Sequence, residues 1–272
     1  MSEQKVNHDE ASVPQVQQGI FLFIFDSTQS MGRYIDGGRE ALSNRIEVLR
    51  STDLICIVIM RDIDQKHKRE PGHLTVLQPT NNKDEIKEFM KKYLFPEGGG
   101  DIPEDLHGAI GMGISVMQEY EEKNGRCRFF LIVITDAPTH GYCSSNIGDA
   151  HPLYEEDYPH LKLETLCNTL KTFNIVFMFM HANDTQTLPT RNALREFLGP
   201  CYRESALPIS STQTSAIPPR RSLYVSGELH GEPHDGPHGV PPVPPPYNSD
   251  LPNYASRATS DAICEFINEM SI

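Results

Sequence analysis

The sequence predicts an α/β fold: a doubly wound, mostly parallel sheet of six strands, with helices on both faces and one short antiparallel strand at an edge. Four apolar runs are separated by stretches whose apolar residues recur at helical spacing. Uninterrupted apolar runs are typical of strands buried on both faces of a parallel sheet, and their alternation with helices is the pattern of βαβ units. The four runs are residues 20–25, 54–60, 129–135 and 175–180.

The first half of the chain provides further elements between these runs. Helical spacing predicts helices over 33–50 and 84–94. A short apolar stretch at 74–77 follows a Pro-Gly turn signal and is predicted as the antiparallel edge strand. The loop 96–105 then contains three consecutive glycines, and helical spacing resumes from Pro103, a residue that suits the first turn of a helix.

The second half adds predicted helices over 161–173 and 194–198. The following segment, 205–254, holds 11 of the 21 prolines together with many Ser, Gly and His residues. Such a segment cannot bury enough apolar surface to offset the entropy of ordering, so we predict that it is disordered. A helical stripe at 255–272 is expected to form a last helix that docks on the domain.

Length and charge limit the possible functions. The 272 residues suit one domain at 18–204 with flanking segments, of which the polar residues 1–17 are predicted to form a flexible arm. The net charge of −13 argues against nucleic-acid or anionic-membrane partners, but not against cations. We expect a cytoplasmic protein with reduced thiols, because no run approaches the ~18 apolar residues of a membrane span, no signal peptide is recognisable and the six cysteines lack metal-type spacing.

Oxygen-bearing side chains follow the first apolar run at every second position. These are Asp26, Thr28 and Ser30. Side chains at the carboxyl end of a central strand lie where open α/β sheets bind ligands, and oxygen donors are what hard cations such as Mg²⁺ require. The alternative is that Asp26 caps the next helix while the hydroxyls bond locally to backbone.

Two more acidic residues are expected at the same edge of the sheet. Asp101 follows the three glycines, and Asp136 follows the third apolar run. Taken singly, Asp101 could be a helix cap and Asp136 a turn residue. Taken together with Asp26, Thr28 and Ser30, they predict one site for Mg²⁺ or Mn²⁺, and the absence of His and Cys from this set disfavours zinc.

Other polar residues near the same edge are interpreted as structural. Asp62 and Asp64 end the second apolar run, and we expect them to be solvated or paired with Arg61. His140 lies close to Asp136 in sequence and could support a metal ligand, but the favoured interpretation is a loop histidine with no metal role.

The proline-rich segment contains two weaker signals. Histidines recur at positions 230, 234 and 238, but the interspersed glycines and prolines forbid the helix that would align them for metal binding. Pro244–Tyr247 fits the P-P-x-Y form read by WW domains, and the surrounding prolines favour polyproline II. A WW-domain protein is therefore a possible partner.

The motif Asp26-Ser-Thr-Gln-Ser30 after a hydrophobic strand resembles the D-x-S-x-S metal-ion-dependent adhesion site (MIDAS) of von Willebrand factor A-type (vWA) domains. Residues 60–62, 98–105 and 135–141 resemble more narrowly the vWA domains that accompany alpha-type protein kinases in protists. The resemblance implies the vWA fold. It also implies that Thr28 and Ser30 bind the metal directly, whereas Asp26 and Asp136 bind it largely through water.

The sequence departs from the pattern of that family in two places. Thr28 replaces the first serine, which keeps the hydroxyl. The second loop usually supplies a threonine, whereas here Asp101 is the only side-chain candidate. Two carboxylates neutralise a divalent ion and a third leaves the site at −1, so Asp101 should strengthen metal binding and weaken the attraction for an acidic partner group, the usual sixth ligand of the family.

We therefore expect an intracellular protein-interaction module that binds a divalent cation and is not an enzyme. One alternative is a metal-dependent phosphohydrolase of the haloacid-dehalogenase type with Asp26 as nucleophile, but Thr28 stands where such enzymes place the general acid. A second alternative is a scaffold that acts through its proline-rich segment. Nucleotide binding by the glycine loop is disfavoured because the G-x-x-x-x-G-K-[ST] motif is absent, and no kinase domain fits after residue 204.

Overall fold

The computed structural model describes residues 18–48, 50–63, 73–207, 260–261 and 263–265. Within this part of the chain, six strands form a single sheet in the order β3-β2-β1-β4-β5-β6. The pairs are parallel except that β3 runs antiparallel to β2 at one edge. The predicted fold class, with one antiparallel edge strand, is confirmed.

Helices lie between the parallel strands along the chain, whereas the antiparallel strand β3 is the next element after β2. In chain order the elements are β1 Gly19–Asp26, α1 Gly32–Val48, β2 Leu54–Met60, β3 Leu74–Thr80, α2 Lys83–Tyr93, α3 Leu106–Asn124, β4 Arg128–Thr135, α4 Tyr154–Asp157, α5 Leu163–Leu170, β5 Ile175–His181, α6 Asp184–Leu198 and β6 Tyr202–Ala206.

Several sequence predictions lie outside the described residues. They concern the arm at 1–17, Asp64, the three histidines of the proline-rich segment, the Pro244–Tyr247 motif and most of the segment 205–254. Of the predicted C-terminal helix, residues 260–261 and 263–265 are described, and they are helical. Among the described residues no helix is long and apolar enough to cross a membrane.

The first strand occupies the centre of the sheet, as its composition predicts. All eight residues of β1 are buried, and Phe23 pairs with Ile57 of β2 on one side and with Ile132 of β4 on the other. Successive side chains of a strand point to opposite faces, so β1 contributes to two separate cores. This position places the residue that ends β1 in the middle of the carboxyl edge.

The two cores lie on opposite faces of the sheet. On one face, Leu22 packs in a cluster with Ile110 of α3 and Leu166 of α5. On the other face, Phe23 packs in a cluster with Leu42 of α1 and Ile86 of α2. Both faces are therefore covered by helices, which explains why the strands can be apolar at every position.

The apolar pattern of the sequence does not predict β6, the edge strand beside β5, or the full length of α6. β6 lies across residue 204, where the sequence analysis ended the domain, and only Tyr202 among its five residues is buried. The helix predicted over 194–198 begins much earlier, at Asp184, because Asn183 caps it by accepting a hydrogen bond from the Gln186 N–H. Pro189 inside this helix interrupts the sequence signal.

Candidate metal centre

The carboxyl edge of the sheet gathers the polar side chains that end β1 and β4. Asp26, the last residue of β1, is fully buried and accepts hydrogen bonds on both carboxylate oxygens. Oδ1 accepts the Thr28 Oγ1–H at 2.6 Å and the Thr28 N–H at 2.9 Å. Oδ2 accepts the hydroxyl of Thr135, the last residue of β4, at 2.7 Å. Asp26 is thereby fixed by its own loop and by the neighbouring strand.

The same contacts continue outward to Asp136. The hydroxyl oxygens of Thr28 and Ser30 lie 3.2 Å apart, and Ser30 Oγ donates to Asp136 Oδ1 at 2.9 Å. Thr28 is buried, whereas Ser30 is exposed to solvent. We call Asp26, Thr28, Ser30 and Asp136 the β1 cluster. Four of the five predicted ligands are thus in one connected group that is open to solvent on one side.

Backbone contacts explain why the first loop holds this shape. The Ser27 N–H donates to the Met60 carbonyl at the end of β2, and the Gln29 N–H donates to the Gly98 carbonyl. The chain then enters a short 3₁₀ turn at Gln29–Met31 before α1 begins. The turn directs Ser30 back toward Asp136 across the strand ends.

The electrostatics of the β1 cluster favour the arrival of positive charge. Burial raises the pKa of Asp26, although the hydrogen bonds from Thr28 and Thr135 oppose the rise. Burial and the negative charge of Asp26 raise the pKa of Asp136 to about 7, against the hydrogen bond from Ser30 and the charge of Arg33. Two carboxyls with raised pKa values side by side are stabilised in their ionised form by a cation.

The fifth predicted ligand has different neighbours. Asp101 Oδ2 accepts the Ala150 N–H at 2.6 Å, while its Oδ1 is buried and has no hydrogen-bond partner among the described residues. One ligand atom each from Asp62, Asp101 and His140 lie within 4.8 Å of one another. We call these three residues the histidine cluster. The helix that follows is capped by Asp105, which accepts the Gly108 N–H, so helix capping is not the role of Asp101 here.

The glycine loop fixes Asp62 in the histidine cluster. The Gly100 N–H donates to Asp62 Oδ2 at 2.6 Å. Gly98 and Gly99 have φ values of 86° and 105°, a left-handed region that favours glycine. These two residues allow the loop to turn so that the next N–H meets the carboxylate. Asp62 is fully buried, so of the two roles expected for it, solvated or paired with Arg61, the solvated one does not apply.

The position of His140 was not predicted by the sequence analysis. Its ring is fully buried, and its Nδ1 lies 2.9 Å from Asp149 Oδ1. Its Nε2 is buried, and no described residue forms a hydrogen bond with it. A carboxylate on one ring nitrogen orients the other. The sequence analysis, which favoured a loop histidine with no metal role, did not predict this burial or this orientation.

Glu104 lies within electrostatic reach of both clusters, and the sequence analysis did not select it. The residue is 3% exposed, and its Oε2 has no hydrogen-bond partner in the part of the chain that the structure describes. Burial and the charges of Asp26, Asp62, Asp136 and Asp101 raise its pKa well above the usual range. Its backbone is fixed against the β4 loop, because its N–H donates to the Pro138 carbonyl at 3.0 Å. The signal in the sequence is an acid just before a helix start, which is also typical of simple capping.

The donor set of the β1 cluster fits a hard divalent cation. Two hydroxyls and two carboxylates converge, and all four offer oxygen atoms, as Mg²⁺ and Mn²⁺ prefer. The two carboxylates balance a +2 charge. The exposed side of Ser30 leaves a route for the ion and for further ligands.

Comparison with known proteins adds similarity of shape only. No family model matches the sequence, and no curated protein matches it in sequence. Among solved structures, the chain is similar to a von Willebrand factor type A protein from Catenulispora acidiphila, with a TM-score of 0.47, 11% identity and coverage of 71% of this chain. It is also similar to the pilus adhesin SpaC from Lactobacillus rhamnosus GG, with a TM-score of 0.49, 9% identity and coverage of 70%.

A third similar structure is the vWF domain of the type V pili tip protein Mfa5 from Porphyromonas gingivalis, with a TM-score of 0.46 and 8% identity. The alignment covers 70% of this chain and 90% of that domain. By contrast, it covers only 39% of the Catenulispora protein and 29% of SpaC. At these identities the function has to be argued from the geometry of the site.

Proposed function

We propose that this chain is a cytoplasmic vWA-type interaction module that binds one Mg²⁺ or Mn²⁺ ion at the β1 cluster and a protein partner at the same edge. The observation that carries the proposal is the convergence of the Thr28 and Ser30 hydroxyls between the carboxylates of Asp26 and Asp136. The relation to vWA domains that accompany alpha-type kinases belongs to the same proposal and rests on the motifs of the sequence.

The charge of the cluster supports an acidic partner group. Asp26 and Asp136 neutralise a divalent ion, and Asp101 hydrogen-bonds to Ala150 and lies beside Asp62 instead. Glu104 is a further acid nearby, but its raised pKa favours the uncharged form, so the bound ion keeps its attraction for an anionic ligand. We propose that a Glu or Asp side chain of the partner completes the coordination from the solvent side, where Ser30 is exposed.

Calorimetric titration with Mg²⁺ and Mn²⁺ tests the metal site. We expect one ion to bind wild type and to raise its melting temperature, because a ligand of the folded state stabilises it by mass action. Asp26→Ala should abolish both effects. Asp36→Ala is the matched control, since Asp36 is an exposed acid on the nearby helix α1 whose carboxylate pairs only with Arg39 among the described contacts. Equal Mg²⁺ affinity in wild type and Asp26→Ala would place the ion elsewhere.

The partner is tested by retention on the immobilised protein. A partner that uses the ion should be retained from cell lysate in Mg²⁺, released by EDTA and absent from the Asp26→Ala column, while the Asp36→Ala column behaves as wild type. A protein that is retained equally on all columns with EDTA present would contradict an ion-dependent interface and would favour the scaffold alternative.

The phosphohydrolase alternative has less support from the geometry. Asp26 is fully buried and both of its oxygens accept hydrogen bonds, so the carboxylate is not presented for attack on a phosphorus atom. Thr28 occupies the position of the general acid and cannot donate a proton at neutral pH as a carboxylic acid would. Mg²⁺-dependent turnover of p-nitrophenyl phosphate that is lost in Asp26→Asn would overturn the non-enzymatic proposal.

A further inference from the structure

We propose that the histidine cluster, Asp62, Asp101 and His140, is a second metal site, separate from the β1 cluster, which takes a borderline transition-metal ion, Zn²⁺ in preference to Mn²⁺ or Mg²⁺. This inference is independent of the proposed Mg²⁺ site and goes beyond it. It assigns a role to residues that the sequence analysis interpreted as structural or as part of the first site.

The three donors come from different loops and meet at one point. Asp62 follows β2, Asp101 follows the glycine loop and His140 follows β4. One ligand atom from each lies within 4.8 Å of the other two, a spacing that one ion can span. Asp62 and His140 are buried and Asp101 is partly buried, so the group lies beneath the surface rather than among solvated acids.

The unpartnered nitrogen of His140 points to a ligand. The ring is fully buried, and Asp149 occupies Nδ1, so Nε2 is the nitrogen that lacks a partner within the described part of the chain. A buried polar atom without a hydrogen bond destabilises the folded protein. A metal ion bound at Nε2 would satisfy the nitrogen, and Asp101 Oδ1 is a second buried atom that lacks a partner among the described residues.

The surroundings of His140 have the form of a supported metal ligand. Metal-binding histidines usually donate their other ring N–H to a carboxylate, which fixes the tautomer and the ring orientation. Asp149 performs this role here and is itself held by the N–H groups of Gly141 and His151, both at 2.8 Å. The ring of Tyr154 stacks on His140 with an interplanar angle of 3°. The imidazole is thus fixed before any ion arrives.

The two carboxylates are held in a comparable way. One oxygen of Asp62 accepts the Gly100 N–H, and one oxygen of Asp101 accepts the Ala150 N–H, each at 2.6 Å. Each side chain is therefore oriented by a backbone group at one oxygen. Two carboxylates and one neutral imidazole balance a +2 charge.

The types of donor atom in the histidine cluster determine which metal ion it should prefer. An imidazole with carboxylates is a set that Zn²⁺ binds in proteins, whereas Mg²⁺ prefers oxygen ligands alone and dehydrates reluctantly. The β1 cluster has no nitrogen donor, and the histidine cluster has one. The two clusters should therefore select different ions even though they lie at the same edge of the sheet.

Equilibrium dialysis of the full chain against Zn²⁺, with metal analysis of the protein, tests this site. Wild type should bind one Zn²⁺ at this site, and His140→Gln and Asp101→Asn should each weaken that binding at least ~10-fold, as expected when one of few ligands is lost. His160→Gln is the matched control, because His160 is an exposed histidine in the same long loop region. It should bind Zn²⁺ as wild type does.

Two further readouts keep the test decisive. Asp26→Ala should retain Zn²⁺ while it loses Mg²⁺, which separates the failure of this proposal from the failure of the Mg²⁺ site. Circular dichroism in the presence of a chelator shows whether each variant is folded. If His140→Gln is not folded, Asp101→Asn, which keeps the shape of the side chain, tests the Zn²⁺ site instead. Unchanged Zn²⁺ affinity in folded Asp101→Asn, or loss of Zn²⁺ only in His160→Gln, overturns the proposal.

Discussion

The environment of the Asp136 carboxyl leads to a prediction about how the stability of the protein depends on pH. Its pKa in the folded state is about 7, because burial and the charge of Asp26 disfavour ionisation. In the unfolded chain it returns to 3.8. Between these two pH values the folded protein holds a proton that the unfolded chain has already lost, so rising pH lowers the free energy of unfolding.

We therefore predict that the metal-free protein loses stability as the pH rises from about 4 to about 7. In Asp136→Asn the decrease in the free energy of unfolding over this pH range should be smaller by on the order of 2–4 kcal/mol, since one pKa unit corresponds to about 1.4 kcal/mol. Urea unfolding in EDTA at several pH values measures it as the difference between wild type and variant. Asp36→Asn is the control and should follow wild type; parallel curves for wild type and Asp136→Asn would contradict the raised pKa.

At this scale the sequence predicted one cluster better than the other. Asp26, Thr28, Ser30 and Asp136 are predictable because three of them alternate from the last residue of a central strand and the fourth directly follows the neighbouring strand. Asp62, Asp101 and His140 meet through loops, whose paths have no periodic signal. A loop histidine is identified as a candidate ligand only when the partner of its other nitrogen is known.

The start of α3 shows how the site depends on an element. Asp105 caps the helix by accepting the Gly108 N–H at 2.9 Å, and Tyr154 donates to the same carboxylate at 2.6 Å. A Cβ at Gly108 would lie 2.2 Å from Asp105 Oδ2. Because Asp105 is held from the other side, it cannot move away freely, and the loop that carries Glu104 would shift with it.

We predict opposite effects for the same substitution at two glycines of α3. Gly108→Ala should destabilise the protein by about 1–2 kcal/mol, because the lost cap outweighs the gain in helix propensity. Gly113→Ala places its Cβ 3.4 Å from Leu22, an ordinary contact, and should be neutral or stabilising by up to about 1 kcal/mol. Thermal unfolding in chelator compares them; equal effects would mean that the cap at Asp105 contributes nothing.

The strands at the centre of the sheet could be predicted because they are almost completely buried. β1 and β4 are apolar except at their ends, since helices cover both of their faces. β6 lies at the sheet edge with exposed Arg203 and Glu204, so its sequence does not resemble a buried strand. The helix α6 buries Thr187 and Thr190, and polar residues on the buried face hide the helical stripe.

For the whole molecule, the order of strands in the sheet predicts the order of hydrogen exchange. β1 is paired on both sides, whereas among the described residues β6 pairs only with β5. We expect amides of β1 to exchange only on global unfolding, and those of β6 to exchange at least ~100-fold faster through local opening. Exchange followed by mass spectrometry measures both strands, and equal protection would contradict the central position of β1.

The fold class could be predicted at the scale of the whole molecule because the connections of parallel strands follow general rules. Right-handed crossovers bring all parallel strand ends to one edge, so the meeting of Asp26 and Asp136 needed no knowledge of loop conformation. The separation of the edge into two clusters depends on backbone hydrogen bonds of the glycine loop, which composition alone does not determine.

The hydrogen bond between Ser30 and Asp136 joins residues that are 106 positions apart. During synthesis, at about 5–20 residues per second, the ribosome needs roughly 5–20 s between adding the serine and adding the aspartate. Until β4 is made, the Asp26 carboxylate has neither the Thr135 hydroxyl nor Asp136 beside it. The complete set of oxygen donors therefore exists only in a chain whose central strands have all been translated and paired. An ion bound at the β1 cluster accordingly marks a chain in which β4 has been synthesised and has paired with β1.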